Sequence, residues 1–250
     1  MKLIHHERKY YRLFKRALIK QVQPALEMLG NGGGEASASA ISTEPIKQVY
    51  LQLFDEIVSK NAQRQYKELQ KDVKKANNDF WSFTADKFIR QYGMARIVSI
   101  TGTSRDYYIE LVRRITTEVQ AQGLGMYEAA RMIEKEVGAA WTDQTFYRAE
   151  RIARTETGAA ANYATQEGAK ATGRNDLRKI WTTAIDGRER DAHRAANRQQ
   201  VALNEPFIVG GERLMYPNDP NPELSGSNVI NCRCTQLVIT PTHPEYNATT

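Results

Sequence analysis

The amino-acid sequence predicts an α+β fold: long helices in the N-terminal two thirds, the first of them tethered, and a small C-terminal α+β module. Apolar residues recur every three to four positions as far as about residue 171, which is the period of amphipathic helices. From Lys179 onward, short β-prone runs alternate with turn signals. The change in period near residue 179 therefore predicts the start of the sheet.

Composition indicates a folded protein without membrane segments. The chain has 250 residues, 41% of them apolar, and no apolar run approaches the roughly twenty residues that a membrane helix needs. Its two cysteines are separated by one residue, so reduced thiols are expected rather than a disulfide framework. The N-terminus carries charge where a signal peptide would be apolar. We therefore expect folding in the cytoplasm, with no membrane partner.

The first helix is strongly basic and is expected to form an arm over residues 1–29. Its first twenty residues contain seven basic side chains and one acidic one, Glu7. This segment therefore carries a charge of +6, which equals the formal net charge of the whole chain. Such a helix suggests an acidic partner, either nucleic acid or a protein surface, although a plain solvated face is the simpler alternative. Pro24 is expected to kink it. The basic residues are Lys2, Arg8, Lys9, Arg12, Lys15, Arg16 and Lys20.

Composition and periodicity also predict the remaining boundaries. A Gly/Ser-rich flexible linker is expected over residues 30–43 and a helical domain over 44–140. Within that domain, the segment 101–104 is expected to break the helical pattern, with Ser104 capping a new helix to Gln120. Two further helices are predicted, over about 127–137 and 142–171. A module at 141–240, combining the long helix with a small sheet, and a tail at 241–250 complete the chain.

The residues capable of metal chemistry are concentrated near the C-terminus. On a predicted strand, Cys232 and Cys234 would share one face, and His193 could join them. With Asp186 or Asp191 as a fourth ligand they would form a zinc site. Two alternatives remain open: buried cysteines beside a hydrogen-bonded histidine, or a catalytic cysteine assisted by His193 and Asp186.

Glu156 has no basic residue four positions further along its helix, so its partner is expected elsewhere in the chain. We expect it to pair with Arg188 or Arg190 and thereby to clamp the long helix to the small module. No Walker loop and no His-Glu-x-x-His motif occurs in the sequence. The chain is therefore not expected to be an enzyme.

An ordered set of motifs over about residues 120–240 resembles the Mu F-like head morphogenesis family of tailed bacteriophages. The set comprises Gly125–Ala130, Arg151–Glu156, Trp181 to His193, Asn204–Phe207, Tyr216 to Pro220, and Ile230-Asn231-Cys232-Arg233-Cys234. One departure follows His193, where a turn with glycine is usual in the family and this chain has Asn197-Arg198-Gln199. The family motif and structural clamp would comprise Arg154, Thr155, Glu156, Trp181, Asp186, Arg188, Arg190 and Asn231.

The resemblance implies a minor capsid protein in the virion, in the capsid interior or at the portal vertex. Such a protein acts in head assembly, DNA packaging or ejection, with the portal protein, the capsid proteins and packaged DNA as candidate partners. Two other functions are compatible with the same residues. One is a metal- or thiol-dependent enzyme delivered with the phage DNA, and the other is a DNA-binding protein that uses the basic first helix.

Overall fold

The computed structural model describes residues 3–69 and 78–247. Seven α-helices and five strands are present in these ranges. The helices are α1 (Leu3–Gly30), α2 (Glu44–Leu69), α3 (Asn78–Phe88), α4 (Met94–Gln120), α5 (Met126–Lys170), α6 (Asp191–Ala195) and α7 (Gly226–Val229). The strands are β1 (Arg178–Thr182), β2 (Gln200–Ala202), β3 (Phe207–Val209), β4 (Glu212–Leu214) and β5 (Thr235–Ile239). The predicted α+β class is confirmed.

Internal packing divides the chain into two compact units with boundaries that differ from the expected ones. The first unit comprises residues 1–8, 52–92 and 151–250, and the second comprises 9–51 and 93–150. Helices α1, α2 and α5 each contribute residues to both units. The helical region expected as one domain over 44–140 is thus shared between the two.

The first helix is part of the second unit's core rather than a separate arm. Val22, Leu26 and Leu29 are buried against residues of α4 and α5, including Trp141. The indole Nε1 of Trp141 donates a hydrogen bond to the carbonyl oxygen of Leu18 at 3.1 Å. The helix continues through Pro24 to Gly30. Burial of one whole apolar face explains why α1 packs on its own chain.

The segment expected as a flexible linker is also packed. Residues Gly34–Ala40 form a 3₁₀ helix in which Ser37 and Ala38 are buried. The hydroxyl groups of Ser37 and Tyr108 lie 2.9 Å apart, and the hydroxyl of Tyr108 donates to the carbonyl oxygen of Ala25. These contacts hold the segment to α1 and α4, so composition alone was misleading here.

Two predicted helix breaks are absent. Helix α4 runs without interruption from Met94 to Gln120, and Ser104 lies inside it, where its hydroxyl donates to the carbonyl oxygen of Ile100 at 3.0 Å. Helix α5 is one helix of 45 residues where two had been expected. Ser104 therefore makes an internal side-chain bond to the preceding turn rather than an N-cap.

The C-terminal module belongs to the first unit. A three-stranded antiparallel sheet has the order β2-β1-β5, and β3 and β4 form a separate hairpin. Gly210 and Gly211 connect the hairpin strands with φ values of 58° and 82°, which is the backbone that a tight primed turn requires. In the expected tail, the hydroxyl of Tyr246 donates to the carbonyl oxygen of Asp176.

Helix α5 is fixed to this sheet by amide side chains. The side-chain oxygen of Asn162 accepts from the backbone nitrogen of Gln236, and the amide of Gln236 donates back to the carbonyl oxygen of Asn162. The amide of Gln166 donates to the carbonyl oxygen of Leu203 at 2.7 Å. All three side chains are buried, so these bonds fix the register between helix and sheet.

Candidate functional site

Three side chains with metal-binding chemistry meet in the C-terminal module. Nδ1 of His193 lies 3.4 Å from Sγ of Cys234 and 3.5 Å from Sγ of Cys232. Their side chains offer ligand atoms that all lie within 4.8 Å of one another. The three residues are between 2% and 4% exposed. The module therefore places one imidazole and two thiols around a common point.

The two cysteines do not lie on a strand, as had been expected. They belong to the loop between α7 and β5, and the strand begins only at Thr235. Asn231 just before them has a φ of 59°, a left-handed conformation that asparagine tolerates better than most residues. Cys232 and Cys234 are both buried while Arg233 between them is half-buried, so the burial expected for a strand occurs in a loop.

The histidine is held in place by strand β1 and the residue that follows it. Thr183 Oγ1 donates to the carbonyl oxygen of His193 at 2.7 Å and accepts from Nε1 of Trp181 at 3.1 Å. The fully buried indole of Trp181 also packs edge-on against the imidazole, with ring centroids 5.7 Å apart. Trp181 thus positions His193 by contact and through Thr183.

Helix α5 holds the cysteine loop through Arg154 and Thr155. Nη1 of Arg154 donates to Oδ1 of Asn231 at 2.6 Å, and the backbone nitrogen of Asn231 donates to Oγ1 of Thr155 at 2.8 Å. We call this pair of contacts the α5 clamp. It joins residues 76 and 77 positions apart, and it fixes both the side chain and the backbone of Asn231.

The predicted ion pair between Glu156 and Arg188 or Arg190 is not formed. Arg190 donates to the carbonyl oxygen of Ile230 at 2.7 Å, and Arg188 pairs with Asp186 at 3.1 Å. Glu156 is buried on α5. Arg154 and Thr155 of the same motif link the helix to the module through Asn231.

The two aspartates considered as a fourth metal ligand do not join the three-residue group. Asp186 is held by the guanidinium groups of Arg188 and Arg233. The side chain of Asp191 is 98% exposed and pairs with Arg194. Among the described residues, the metal-capable group at this place comprises the histidine and the two cysteines alone.

A pocket of about 170 Å³ opens onto these three residues. Four arginines contribute to its wall and Glu189 is its one acidic lining residue, so positive side chains outnumber negative ones in the lining. Both oxygens of Glu189 are already engaged, by Arg194 and by the backbone nitrogen of Asp186. The pocket is lined by Arg154, Ala184, Arg188, Glu189, Arg190, His193, Asn231, Cys232, Arg233 and Cys234.

The two thiols differ in acidity. The hydrogen bond with Cys232, and after it the one with His193, lowers the pKa of the Cys234 thiol. The same bond between the thiols, together with burial, raises the pKa of Cys232. The arrangement favours one thiolate at Cys234, which is the protonation state that a metal ligand or a nucleophile requires.

Two buried polar residues near the site had not been singled out. Lys179 on β1 is fully buried, and its Nζ donates to the carbonyl oxygen of Met215 at 2.7 Å. Asn218, with a φ of 61°, donates to the carbonyl oxygens of Val229 and Cys232. The Tyr-Pro-Asn-Asp run signalled an irregular loop, but no sequence signal indicated these long-range bonds.

The turn after His193 contains Asn197-Arg198-Gln199 where the family usually has a glycine. Arg198 takes the left-handed conformation at this turn, with a φ of 67°. Oδ1 of Asn197 accepts from the backbone nitrogen of Thr183 at 3.0 Å. The turn is therefore made without glycine, and Asn197 adds a bond to the strand that supports the histidine.

The basic residues predicted to bind a partner lie along α1. Arg8, Arg12, Arg16 and Lys20 are exposed and spaced four residues apart, whereas Lys9 and Lys15 are half-buried. The remaining predicted residue, Lys2, lies outside the described residues. We call Arg12, Arg16 and Lys20, which belong to the second unit, the basic stripe.

Comparison with known proteins connects this geometry to a family. The family described as Phage Mu protein F like protein matches residues 110–237, about half of the chain. The chain belongs to this family. The matched range contains the α5 clamp and the three metal-capable side chains. It also contains the whole of β1 to β4 and the first three residues of β5. The resemblance seen in the motifs is thus confirmed.

A curated protein also resembles part of this Mu F-like chain. It is NAD(+)--arginine ADP-ribosyltransferase EFV of Enterococcus faecalis, 32% identical over 141 residues. The similarity covers 53% of this chain but 27% of that protein, so the chain spans about a quarter of its relative's length. The activity in that name belongs to the longer protein.

No solved structure matches the chain. Within the described residues, no helix combines the length and the apolar character needed to cross a membrane.

Proposed function

We propose that this chain is a minor head protein of a tailed bacteriophage that associates with the portal vertex and acts in head assembly, DNA packaging or ejection. Membership of the Mu F-like family supports a role in head morphogenesis. We assign the chain a structural role rather than a catalytic one, because the matched family is one of phage head proteins. Its place would be the virion, in the capsid interior or at the portal vertex.

The observation that carries the docking part of this proposal is the basic stripe. Arg12, Arg16 and Lys20 project from the exposed face of α1. The opposite face of the helix is buried in the core of the second unit. The positive charge is therefore held rigidly and left available to an acidic partner.

A negatively charged surface of the portal or a capsid protein is the partner we favour, and packaged DNA is the second candidate. Both present acidic groups, but they differ in one measurable respect. Binding to duplex DNA weakens steeply with salt in proportion to the number of phosphates contacted. A folded protein partner adds apolar contacts that salt does not weaken.

The test reverses the charge of the basic stripe by substitution and leaves the buried core residues unchanged. The triple variant Arg12→Glu, Arg16→Glu, Lys20→Glu is compared with a control, Arg114→Glu, Arg131→Glu, Lys135→Glu, which alters exposed basic residues of α4 and α5 in the same unit. Deletion of residues 1–29 is unsuitable, because it would remove core residues such as Leu26.

Each variant is co-expressed with the portal protein of the same phage and purified through the portal. We expect the stripe variant to lose co-purification at least tenfold while the control retains it. Retention by both variants would overturn the docking proposal. If the purified protein instead binds duplex DNA in a salt-sensitive, stripe-dependent way and never the portal, DNA is the partner.

A further inference from the structure

The distances around His193 match those of a tetrahedral zinc site. With Zn–S near 2.3 Å and Zn–N near 2.05 Å, tetrahedral angles separate a ligating nitrogen from a ligating sulfur by about 3.6 Å. The two observed separations are 3.4 and 3.5 Å. Imidazole and thiol ligands are also the donor types that zinc prefers over the alkaline-earth ions.

We propose that Nδ1 of His193 and the Sγ atoms of Cys232 and Cys234 bind one Zn²⁺, and that its fourth coordination position faces the arginine-lined pocket. All three ligand residues line that pocket, so an ion held by them is reachable from it. This inference concerns the module itself and does not depend on the head-assembly role.

None of the described residues supplies a fourth ligand to this group. Asp186 and Glu189 are held by arginines, and Asp191 faces solvent. The exposed guanidinium of Arg188, with those of Arg154, Arg190 and Arg233, surrounds the opening with positive charge. Water fills the position in the isolated protein, and an oxyanion such as a carboxylate or a phosphate replaces it.

The ion would join two segments that are distant in sequence. His193 lies on α6 and the cysteines lie in the loop before β5, 39 and 41 residues further along. The α5 clamp holds the same loop through Asn231. Metal binding therefore ties α6 to the clamp region, and its free energy adds to the stability of the folded module.

The first experiment measures zinc in the full chain, purified without chelator and with any histidine tag removed. We expect about one equivalent of zinc, and we expect Cys234→Ser and His193→Ala to reduce it at least fivefold. His243→Ala is the matched control, because His243 lies in the tail and keeps one ordinary bond to Glu245. Wild-type levels of zinc in Cys234→Ser would overturn the proposal.

A second measurement covers the case in which the variants do not fold. Wild-type protein is stripped with a chelator under reducing conditions, and its two thiols are titrated with a thiol reagent before and after zinc is restored. Protection of both thiols and a higher melting temperature are expected. Less than a tenth of an equivalent bound, with both thiols reduced and reactive, would overturn the site.

The open position is tested with Co²⁺ in place of zinc. Phosphate and acetate, added separately, are expected to change the visible spectrum of the cobalt form, and Arg188→Ala is expected to weaken that effect several-fold. Arg213→Ala, which alters an exposed arginine outside the pocket, is the control. A cobalt spectrum that neither anion changes would overturn the assignment of the fourth position.

Discussion

At the scale of single residues, the cysteine loop depends on hydrogen bonds that only the folded chain can show. Thr155 on α5 is buried and accepts the backbone N–H of Asn231 across 76 residues. The bond is part-buried, and a hydrogen bond of this kind contributes about 0.5–1.5 kcal/mol to stability. The contribution of the α5 clamp can therefore be measured by removing one oxygen atom.

We predict that Thr155→Val lowers the free energy of unfolding by about 0.5–1.5 kcal/mol, because it removes the acceptor of the Asn231 N–H. Thr165→Val is the control. Thr165 lies on the same helix, and its hydroxyl bonds only to the carbonyl oxygen of Ala161. Urea unfolding of both variants, followed by tryptophan fluorescence, measures the difference, and equal losses would contradict the clamp.

Lys179 gives a second prediction at this scale. Burial lowers the pKa of its ammonium group to about 7. The unfolded chain therefore binds more protons than the folded chain between about pH 7 and pH 10, so stability rises with pH across that window. From pH 7 to pH 9 this effect contributes about 2 kcal/mol to the free energy of unfolding.

The variant Lys179→Met removes this titration and is predicted to flatten the rise in stability. Urea unfolding at pH 7, 8 and 9 compares the two proteins, and the same slope in both would contradict a buried lysine that titrates near neutrality. Thr165→Val again serves as a control, because it leaves every titratable group in place.

At the scale of elements, a glycine allows two helices of the first unit to approach closely. A Cβ added at Gly168 on α5 would lie 3.0 Å from the backbone carbons of Ala62 on α2 and closer still to its carbonyl oxygen. Backbone atoms cannot rotate aside as a long side chain can. The contact between α2 and α5 therefore requires a residue without a side chain.

We predict that Gly168→Ala destabilises the protein by about 1–3 kcal/mol through overpacking, although alanine is the better helix former. Gly102→Ala is the matched control, since nothing lies within 4 Å of a Cβ at that helical position. The control is expected to be neutral or stabilising by up to about 1 kcal/mol. Thermal unfolding of both variants checks the prediction, and a Gly168→Ala variant as stable as wild type would contradict it.

At the scale of the whole molecule, periodicity predicted the helices and the small sheet, but local signals misplaced their limits. Thr101 and Ser104 predicted a helix break, yet α4 continues. The hydroxyl of Ser104 donates a hydrogen bond within the helix and accepts one from the guanidinium of Arg148. The Gly/Ser-rich segment predicted a flexible linker, yet Ser37 is buried beside Tyr108. In both cases contacts from distant residues outweigh local propensity.

At the candidate site too, the sequence indicated which residues take part but not how they are held. Residue type and spacing indicated that His193, Cys232 and Cys234 could meet, because their chemistry is rare in this chain. The contacts of Arg154 and Thr155 with Asn231 could not be derived, since three adjacent residues of one motif are equally plausible partners on paper. Which of them reaches the loop depends on the rotation of α5, and the structure alone shows it.

The most direct test of the account is mass spectrometry of purified, nuclease-treated particles from the phage that encodes this chain. The account predicts that the chain is recovered with the heads in few copies and remains with the portal when heads are disassembled. It also predicts that the basic-stripe variant is made at normal levels but largely lost from those heads. A chain abundant in infected cells yet absent from purified heads would contradict the account.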